Sequence, residues 1–400
     1  MGVPLIRMTT VKPTIDALRQ RALAEVAHQA DRLKAIAVEL HANPETGLNE
    51  HRASALLAGT LELQGFTVQR GIAGMATAFR AVHGHAGPGI ALLAEMDALP
   101  ELGHACGHNI IGAAAVGAAL ALRHTLPPDA ARIVVFGTPA EEQGIGKVDL
   151  IEQGCFADVD FAMMIHPSSR RKVIKLYLGL VKVRFFFTGR SAHAAAYPEE
   201  GINALDGVIQ TFNAVNALRQ QFRQDIRVHG IITDGGVAPN IIPARASCFF
   251  YVRAEDLTML HEVKERIIAC AEGAARATGC TLAVEEDRRV LAPFRVNRTF
   301  SDLYAAQLGY LGLAESDSPS DRNRGSSDIG NVSQVVPTIH PHVPIGDGIH
   351  IHTPGFAAAA GSDRGGEAVL EGARAMALTA LELALSPEVR NGITNDKYGY

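Results

Sequence analysis

The sequence predicts an α/β protein with a mostly parallel sheet, into which a ferredoxin-like domain of order βαββαβ is inserted. Apolar runs at residues 90–93 and 133–136 alternate with helical patterns, as the buried strands of a parallel sheet do. Residues 180–292 instead predict the order βαββαβ, which is complete in itself. We therefore expect one α/β domain, formed by residues 1–179 and 293–400, around an inserted domain at 180–292.

The first part of the α/β domain begins with helical patterns. A single apolar stripe at i, i+3, i+4 and i+7 is formed by Leu33, Ile36, Ala37 and Leu40. It predicts one long helix that Thr14 caps and that ends before Pro44. The further elements expected here are a helix at 50–63, strands at 66–69, 77–82 and 89–94, a helix that Asn109 caps, a strand at 132–136, a helix at 148–153 and a strand at 161–165.

The inserted domain and the second part of the α/β domain follow. Within the insertion we expect strands at 180–188, 228–233, 245–253 and 281–286, and helices at 202–222 and 256–277. Pro293 lies at the exit of this domain. Beyond it we expect a helix at 299–311, a polar loop at 317–330, a histidine-rich segment at 338–351, a helix at 366–385 and a loose tail after Pro387.

Composition limits the classes of partner and compartment. The chain is 47% hydrophobic and 20% charged with a net charge of −5, so it can bury a core but offers no broad cationic face for nucleic acid. The longest apolar stretch, residues 110–122, is shorter than the roughly 20 residues that cross a bilayer, and residues 1–12 lack a signal-peptide core. The five scattered cysteines form no CxxC pattern. We expect a cytoplasmic protein that binds neither nucleic acid nor membrane.

Metal-ligating residue types follow three strands of the predicted sheet. They are Asp97, Cys106 and His108 after the first strand, Glu141 and Glu142 after the second, and His166 at the end of the third. The carboxyl ends of parallel strands meet at one edge of a sheet, so these side chains should converge, and His352 or a neighbour can join them. Thiolate, imidazole and carboxylate together suit zinc or a similar divalent ion, and their number allows two ions.

The adjacent glutamates Glu141 and Glu142 suggest a division of roles. Pro139 interrupts the regular strand, so two successive side chains can point to different targets. One can bind metal while the other takes a proton from a metal-bound water. The metal would lower the pKa of that water from about 16 toward about 7.

Two alternatives stay open at this point. Cys106 and His108 could form a metal-free nucleophile and base, although two residues so close rarely supply nucleophile, base and orienter. The chain could also be a dimeric binding or regulatory protein without catalysis. The segment at residues 144–147 is not a phosphate loop, because Val148 stands where Ser or Thr is required. We expect supporting or solvated positions for His104, His340, His342 and His350.

Several blocks, in order along the chain, resemble the aminoacylase and glutamate-carboxypeptidase family of two-metal amidohydrolases. The blocks lie at residues 41–45, 96–100, 103–109, 139–142, 191–193, 239–243 and 352–354. The Cys-Gly-His block is similar to the branch that contains p-aminobenzoyl-glutamate hydrolase, hippurate hydrolase and the auxin-conjugate hydrolases. Within that branch, residues 103–109, 144–152, 166–168 and 228–232 are most similar to the aminoacylase-1-like dipeptidases.

The resemblance implies a role for each matched residue. Two divalent ions (zinc, manganese or cobalt) would be bound by Cys106, His108, Glu142, His166 and His352. Glu141 would be the general base, and later the acid toward the leaving amine. His193 would reach the active site of a partner subunit and stabilise the oxyanion, which implies a homodimer through the inserted domain. Substrate contacts would come from Asn240, Arg253 and Ser327.

One position departs from the wider family, which has a ligating His two residues before the Asp of this block. This chain has Glu95 there, so Asp97 is expected to orient a ligand rather than bind metal. The implied activity is metal-dependent hydrolysis, by a metal-bound hydroxide, of the amide bond of an N-acyl amino acid or small dipeptide with a free carboxylate. The aminoacylase-1-like dipeptidases are associated with β-alanyl and γ-aminobutyryl dipeptides that end in basic residues.

Overall fold

The computed structural model describes residues 14–317 and 324–396. Its strands are β1 (Thr67–Arg70), β2 (Phe79–His83), β3 (Gly89–Glu95), β4 (Arg132–Thr138), β5 (Phe161–Met163), β6 (His166–Ser168), β7 (Gly179–Thr188), β8 (Arg227–Asp234), β9 (Arg245–Ala254), β10 (Thr281–Glu286), β11 (Thr338–Ile339) and β12 (His342–Pro344). Its helices are α1 (Ile15–His28), α2 (Ala30–Ala42), α3 (His51–Leu63), α4 (His108–Thr125), α5 (Gly146–Glu152), α6 (Ala204–Leu218), α7 (Leu257–Thr278), α8 (Arg298–Tyr310), α9 (Ile329–Val335), α10 (Pro354–Ala360), α11 (Asp363–Leu385) and α12 (Pro387–Asn395). Part of the expected polar loop, residues 318–323, and the segment 1–13 lie outside the described residues.

The main sheet has the strand order β1-β2-β4-β3-β5-β11 among the described residues. Strands β4, β3, β5 and β11 run parallel, and β1 and β2 add an antiparallel edge. Strand β3 is buried along its whole length, because β4 and β5 flank it and apolar side chains of helices pack on both faces. The prediction of a mostly parallel sheet is confirmed, and the carboxyl ends of β3, β4 and β5 lie at one edge.

The inserted domain is a separate antiparallel sheet with its own core. Its strand order is β10-β7-β9-β8, and α6 and α7 pack on it. Strand β9 alternates buried and partly exposed residues, as expected for a sheet with one covered face. The expected order βαββαβ is confirmed, and the domain limits at residues 179/180 and 292/293 stay a prediction.

Two predictions about helices in the first part of the chain were wrong, one about the helix before Pro44 and one about the start of α4. The expected single helix is interrupted at Gln29, whose backbone (φ −88°, ψ 0°) separates α1 from α2. Asn109 does not cap α4, because Gly107 occupies the N-cap position. The amide of Asn109 instead donates hydrogen bonds of 3.1 Å to the carbonyl oxygens of Ala37 and Ala360. It thereby joins the N-terminal and C-terminal helices beneath the site.

The C-terminal part holds more helix than predicted. Residues 387–395 form α12, which the Ser386 side chain caps, so the tail after Pro387 is not loose over this range. Helices α9 and α10 were also missed, because each spans 7 residues and is too short to show a clear apolar period. No helix in the described part of the chain is long and apolar enough to cross a membrane.

Candidate metal centre

The sequence block between β3 and α4 delivers a thiol and an imidazole to the sheet edge. Cys106 and His108 are buried at the start of α4, on either side of Gly107. Gly107 has φ +78°, and a Cβ there would lie 2.7 Å from the Cγ atom of Pro167. A larger residue is therefore disfavoured both by its backbone conformation and by close packing.

His108 is hydrogen-bonded to Asp97, the residue that we expect to orient it. Its Nδ1 donates to Asp97 Oδ1 at 3.0 Å, while Asp97 Oδ2 accepts from the backbone N–H of Glu142 at 3.0 Å. Asp97 thus accepts a hydrogen bond on each carboxylate oxygen and holds both the His108 ring and the backbone of Glu142 in place. The hydrogen bond assigns the proton of His108 to Nδ1, which leaves the Nε2 lone pair available as a metal ligand.

His166 is fixed in the same way by its own backbone. Its Nδ1 donates to the carbonyl oxygen of Pro167 at 2.6 Å, and its Nε2 lies 3.5 Å from Cys106 Sγ. The side chain is buried, and burial lowers its pKa, which favours the neutral imidazole. A neutral imidazole with a free Nε2 is the form that binds zinc and related ions.

The turn after β4 points Glu141 and Glu142 in different directions. Ala140 has the left-handed backbone conformation (φ +56°), which is unusual for a residue other than glycine. The buried carboxylate of Glu50 accepts from the N–H of Ala140 at 2.8 Å and from the Thr77 hydroxyl at 2.9 Å. Glu50, which the sequence analysis did not single out, therefore holds the turn that aims the two glutamates.

His352 completes the cluster from the C-terminal part of the chain. Its backbone is also left-handed (φ +61°), and its N–H donates to the carbonyl oxygen of Ala105 at 2.9 Å. Its Nε2 lies 3.4 Å from Glu142 Oε2, and its side chain is 48% exposed. His352 therefore lies on the solvent side of the cluster, and the buried candidate ligands lie beneath it.

The residues present fit a metal centre. Ligand atoms that lie within 4.8 Å of one another form four groups among the described residues: Cys106–His108–His166, Cys106–Glu142–His352, His108–Glu141–Glu142 and Glu95–Glu141–Asp328. The buried polar atoms that have no hydrogen-bond partner in the described residues include Glu95 Oε2, His108 Nε2 and Glu142 Oε1 in this cluster, and both ring nitrogens of the neighbouring His340. Buried polar atoms are rarely left unpaired, and this donor set suits divalent metals.

The pKa values of Glu141 and Glu142 are shifted in opposite directions. Burial, with the neighbouring Glu95, Asp328 and Glu142 charges, holds the pKa of Glu141 well above its usual range. Burial alone would also raise the pKa of Glu142, but the hydrogen bond with His352 and the nearby His108 outweigh it and lower that pKa. A raised pKa suits a group that exchanges protons, and a lowered pKa suits a ligand.

Burial raises the pKa of the Cys106 thiol far above its usual range. A thiol in this setting ionises only when a cation lies beside it. This disfavours the metal-free interpretation of Cys106 and His108 as nucleophile and base.

A buried lysine, Lys147, lies beneath the site and was not predicted as part of it. Its Nζ lies 2.6 Å from both Glu95 Oε1 and Asp328 Oδ1. Burial disfavours the ammonium, but Asp328 and Glu95 outweigh it and raise the pKa of Lys147. Both acids lie far from Lys147 in sequence, so no local pattern marks this group.

Two predicted substrate-binding residues line the same pocket as the ligands. Arg253, at the end of β9, donates from Nη1 to the Ser326 hydroxyl at 2.6 Å, and Ser327 is buried beside it. Arg253 therefore connects the inserted domain to the loop before α9. This places a cation within the pocket that also contains Cys106 and Glu142.

His193 and Asn240 are not brought to that pocket within one chain. Both are exposed on the inserted domain and are not among the pocket-lining residues. The Nδ1 atom of His193 accepts from the N–H groups of Ala195 and Ala196 at 3.3 and 3.2 Å. The proton of His193 therefore lies on Nε2, which points away from these partners as a hydrogen-bond donor.

The other histidines have supporting positions. His104 is buried rather than solvated, and its Nε2 donates to the carbonyl oxygen of Leu40 at 3.1 Å. His340 and His342 are buried beside His166, with ring centroids at 5.5 and 5.2 Å from it, and His350 lies exposed at the pocket rim. None of these four occurs in a ligand group of the described residues.

The known proteins to which this chain is similar are peptidases and amide hydrolases. A model of the M20 peptidase dimerisation domain matches residues 178–278. The chain is 38% identical to the Xaa-Arg dipeptidase of Mus musculus over 97% of this chain and 94% of the relative. It is 34% identical to a chain of the p-aminobenzoyl-glutamate hydrolase of Escherichia coli (strain K12), over 72% of this chain and 65% of that relative.

A solved structure shares the fold. The crystal structure of the YXEP protein of Bacillus subtilis, described as a dinuclear metal-binding peptidase from the M20 family, superposes with a TM-score of 0.69 at 19% identity. The match covers 89% of this chain and 99% of that protein. At this identity the likeness supports the α/β architecture with a dimerisation domain in the middle of the chain.

Proposed function

The chain belongs to the M20 peptidase family, and we propose that it hydrolyses the amide bond of a small dipeptide or N-acyl amino acid with a free carboxylate. It is accordingly a hydrolase of C–N bonds. The observation that carries the assignment is the convergence of buried, unpartnered ligand atoms beside Glu141. The names of the dipeptidase and p-aminobenzoyl-glutamate hydrolase relatives support the same reaction class.

The proposed ligands of two metal ions are Cys106, His108, Glu142, His166 and His352. Metal ions bound there would polarise the scissile carbonyl and lower the pKa of the attacking water. Asp97 and the Pro167 carbonyl hold the two buried imidazoles with Nε2 free. Zinc, manganese and cobalt all suit this donor set, and we propose one of them as the native metal.

Glu141 carries the proton in the proposed reaction. Its side chain lies within the ligand group formed with His108 and Glu142, so it can take a proton from the attacking water and deliver it to the departing nitrogen. Its raised pKa favours uptake of the proton, because it makes the carboxylate a stronger base. Arg253 supports a substrate with a free carboxylate, since its guanidinium lines the same pocket.

We also propose that the active form is a homodimer. The dimerisation-domain match at residues 178–278 and the outward position of His193 support this arrangement. The Nε2–H of His193 would donate to the oxyanion in the partner subunit's active site.

We propose a reducing, cytoplasmic location for the enzyme. All five cysteines are unpaired in the structure, as such a compartment favours.

Chelation and reconstitution test the proposal. The enzyme is treated with a chelator, then supplied with zinc, manganese or cobalt and assayed on dipeptides ending in arginine or lysine, acyl-glutamates, hippurates and fatty-acyl amino acids. We expect activity to disappear on chelation and to return with metal on at least one of these substrates. Hydrolysis that resists the chelator would overturn the metal mechanism in favour of the Cys106 thiol.

A further inference from the structure

Glu95, the last residue of β3, divides its two carboxylate oxygens between different surroundings. Its side chain is 1% exposed, and Oε1 accepts from Lys147 Nζ at 2.6 Å. Its Oε2 has no hydrogen-bond partner and lies 3.3 Å from His108 Nε2, which is also unpartnered among the described residues. Because unsatisfied polar atoms are costly inside a protein, the facing pair indicates that a further atom belongs with them.

Asp328 provides an internal comparison. It also contacts Lys147 and is fully buried, but both of its oxygens are used. Its Oδ1 lies 2.6 Å from Lys147 Nζ, and its Oδ2 accepts from the backbone N–H of Lys147 at 2.9 Å. Lys147 therefore needs Asp328 and only one oxygen of Glu95. The second oxygen of Glu95 is not needed to hold Lys147.

The charges lead to the same conclusion. Two acidic side chains, Glu95 and Asp328, contact the single ammonium of Lys147. The second oxygen of Glu95 faces His108, whose Nδ1 donates to Asp97. A cation beside Glu95 Oε2 would therefore lie among acidic side chains that stabilise a positive charge.

The separation of the two unpartnered atoms fits shared coordination. Donor atoms on one tetrahedral ion with bonds of about 2.0–2.2 Å lie about 3.3–3.6 Å apart. Glu95 Oε2 and His108 Nε2 are 3.3 Å apart, and the proposed ligand pair Glu142 Oε2 and His352 Nε2 is 3.4 Å apart.

We propose that Glu95 is a further metal ligand, which shares an ion with His108 through Oε2 while Lys147 holds Oε1. This inference rests on the proposed function, since it adds a donor to the same metal centre. Lys147 would act as a positioning residue. Its contact with Oε1 keeps that oxygen of Glu95 away from the metal and leaves Oε2 free to bind.

Metal binding by matched variants tests the proposal. Metal-free wild-type, Glu95→Gln, Glu95→Asp and Asp328→Asn proteins are titrated with Zn²⁺ by calorimetry and with Co²⁺ by absorption. Circular dichroism checks the fold of each. Glu95→Gln keeps an oxygen acceptor for Lys147 but removes the charge, and Glu95→Asp keeps the charge but withdraws it by one methylene. Asp328→Asn alters the other contact of Lys147 without touching the ligand atoms.

We expect wild type to bind two ions, and both Glu95 variants to bind one of them at least about 100-fold more weakly, beyond the usual effect of residues that only orient ligands. Asp328→Asn should retain the wild-type affinity for both ions. Equal affinities in wild type and both Glu95 variants, or equal losses in Glu95→Gln and Asp328→Asn, would overturn the proposal and leave Glu95 a counter-ion of Lys147. Failure of the wild-type chain to bind two ions would instead overturn the proposed function itself.

Discussion

The sheet edge and the inserted domain hold their candidate site residues in opposite ways. At the sheet edge, His108 and His166 are buried, and each has one ring nitrogen committed to a fixed acceptor. On the inserted domain, His193 and Asn240 are exposed and lie outside the pocket of their own chain. The candidate metal ligands therefore converge within one chain, whereas the proposed oxyanion-binding part faces outward. The difference fits our proposal that one chain builds the buried part of the site and a second chain completes it.

The largest expected effect comes from the sheet edge itself. Glu141→Gln removes the proton carrier but keeps the size of the side chain, so kcat should fall by about 10²–10⁴-fold. The bound metal should remain, because Glu142 and the histidines keep their contacts. Metal content measured by mass spectrometry beside kcat separates these effects. A variant that retains wild-type kcat would remove Glu141 from the mechanism.

The next effect tests whether the inserted domain acts across chains. His193→Ala should lower kcat by about 10²–10³-fold, as expected for loss of one oxyanion donor. Random re-association of equal amounts of Glu141→Gln and His193→Ala chains should recover about a quarter of the wild-type activity. Half of the dimers are then mixed, and each mixed dimer has one intact site. If His193 acts within its own chain, the mixture recovers nothing.

A smaller effect sharpens the role of the residues behind the ligands. Asp97→Ala removes the acceptor that orients His108, and metal affinity should fall by about 10–100-fold while the dimer persists. Chelator competition measures the affinity, and analytical ultracentrifugation measures the dimer. Unchanged metal affinity would show that His108 needs no orienting partner.

The smallest effect concerns the contact that connects the two regions. Arg253→Lys keeps the charge but loses the guanidinium contact to Ser326, so KM should rise several-fold, for a cost of about 1 kcal/mol. The kcat and the metal content should stay near their wild-type values. An altered metal content would mean that Arg253 supports the metal centre rather than the substrate.

Patterns that are local in sequence predicted much of the fold and of the candidate ligands. Runs of apolar residues predict the buried strands directly. Because the carboxyl ends of parallel strands meet at one edge of a sheet, residues that follow different strands can be predicted to lie together, as Cys106, Glu142 and His166 do. Whether these residues have the assigned roles is still a prediction. The wrong helix start at Asn109 has a physical reason, because the left-handed Gly107 begins α4 and frees the Asn109 amide for tertiary contacts.

The supporting residues could not be predicted, because their partners are remote. Lys147 contacts Glu95 across 52 residues and Asp328 across 181, and a lone lysine beside glycines is normally solvated. Glu50 similarly reaches Ala140 across 90 residues of sequence. A charged residue reveals such a role only when the fold buries it.

The interrupted order of the ligands has a consequence for how the protein is made. Cys106, His108, Glu142 and His166 precede the inserted domain, whereas His352 follows it. At a synthesis rate of about 5–20 residues per second, His352 emerges on the order of ten to forty seconds after His166. During that interval the nascent chain holds four of the five candidate ligands, but neither α10 nor Ala360, the acceptor of the Asn109 amide, has been made. The complete set of candidate ligands therefore exists only once the C-terminal part of the chain has been synthesised.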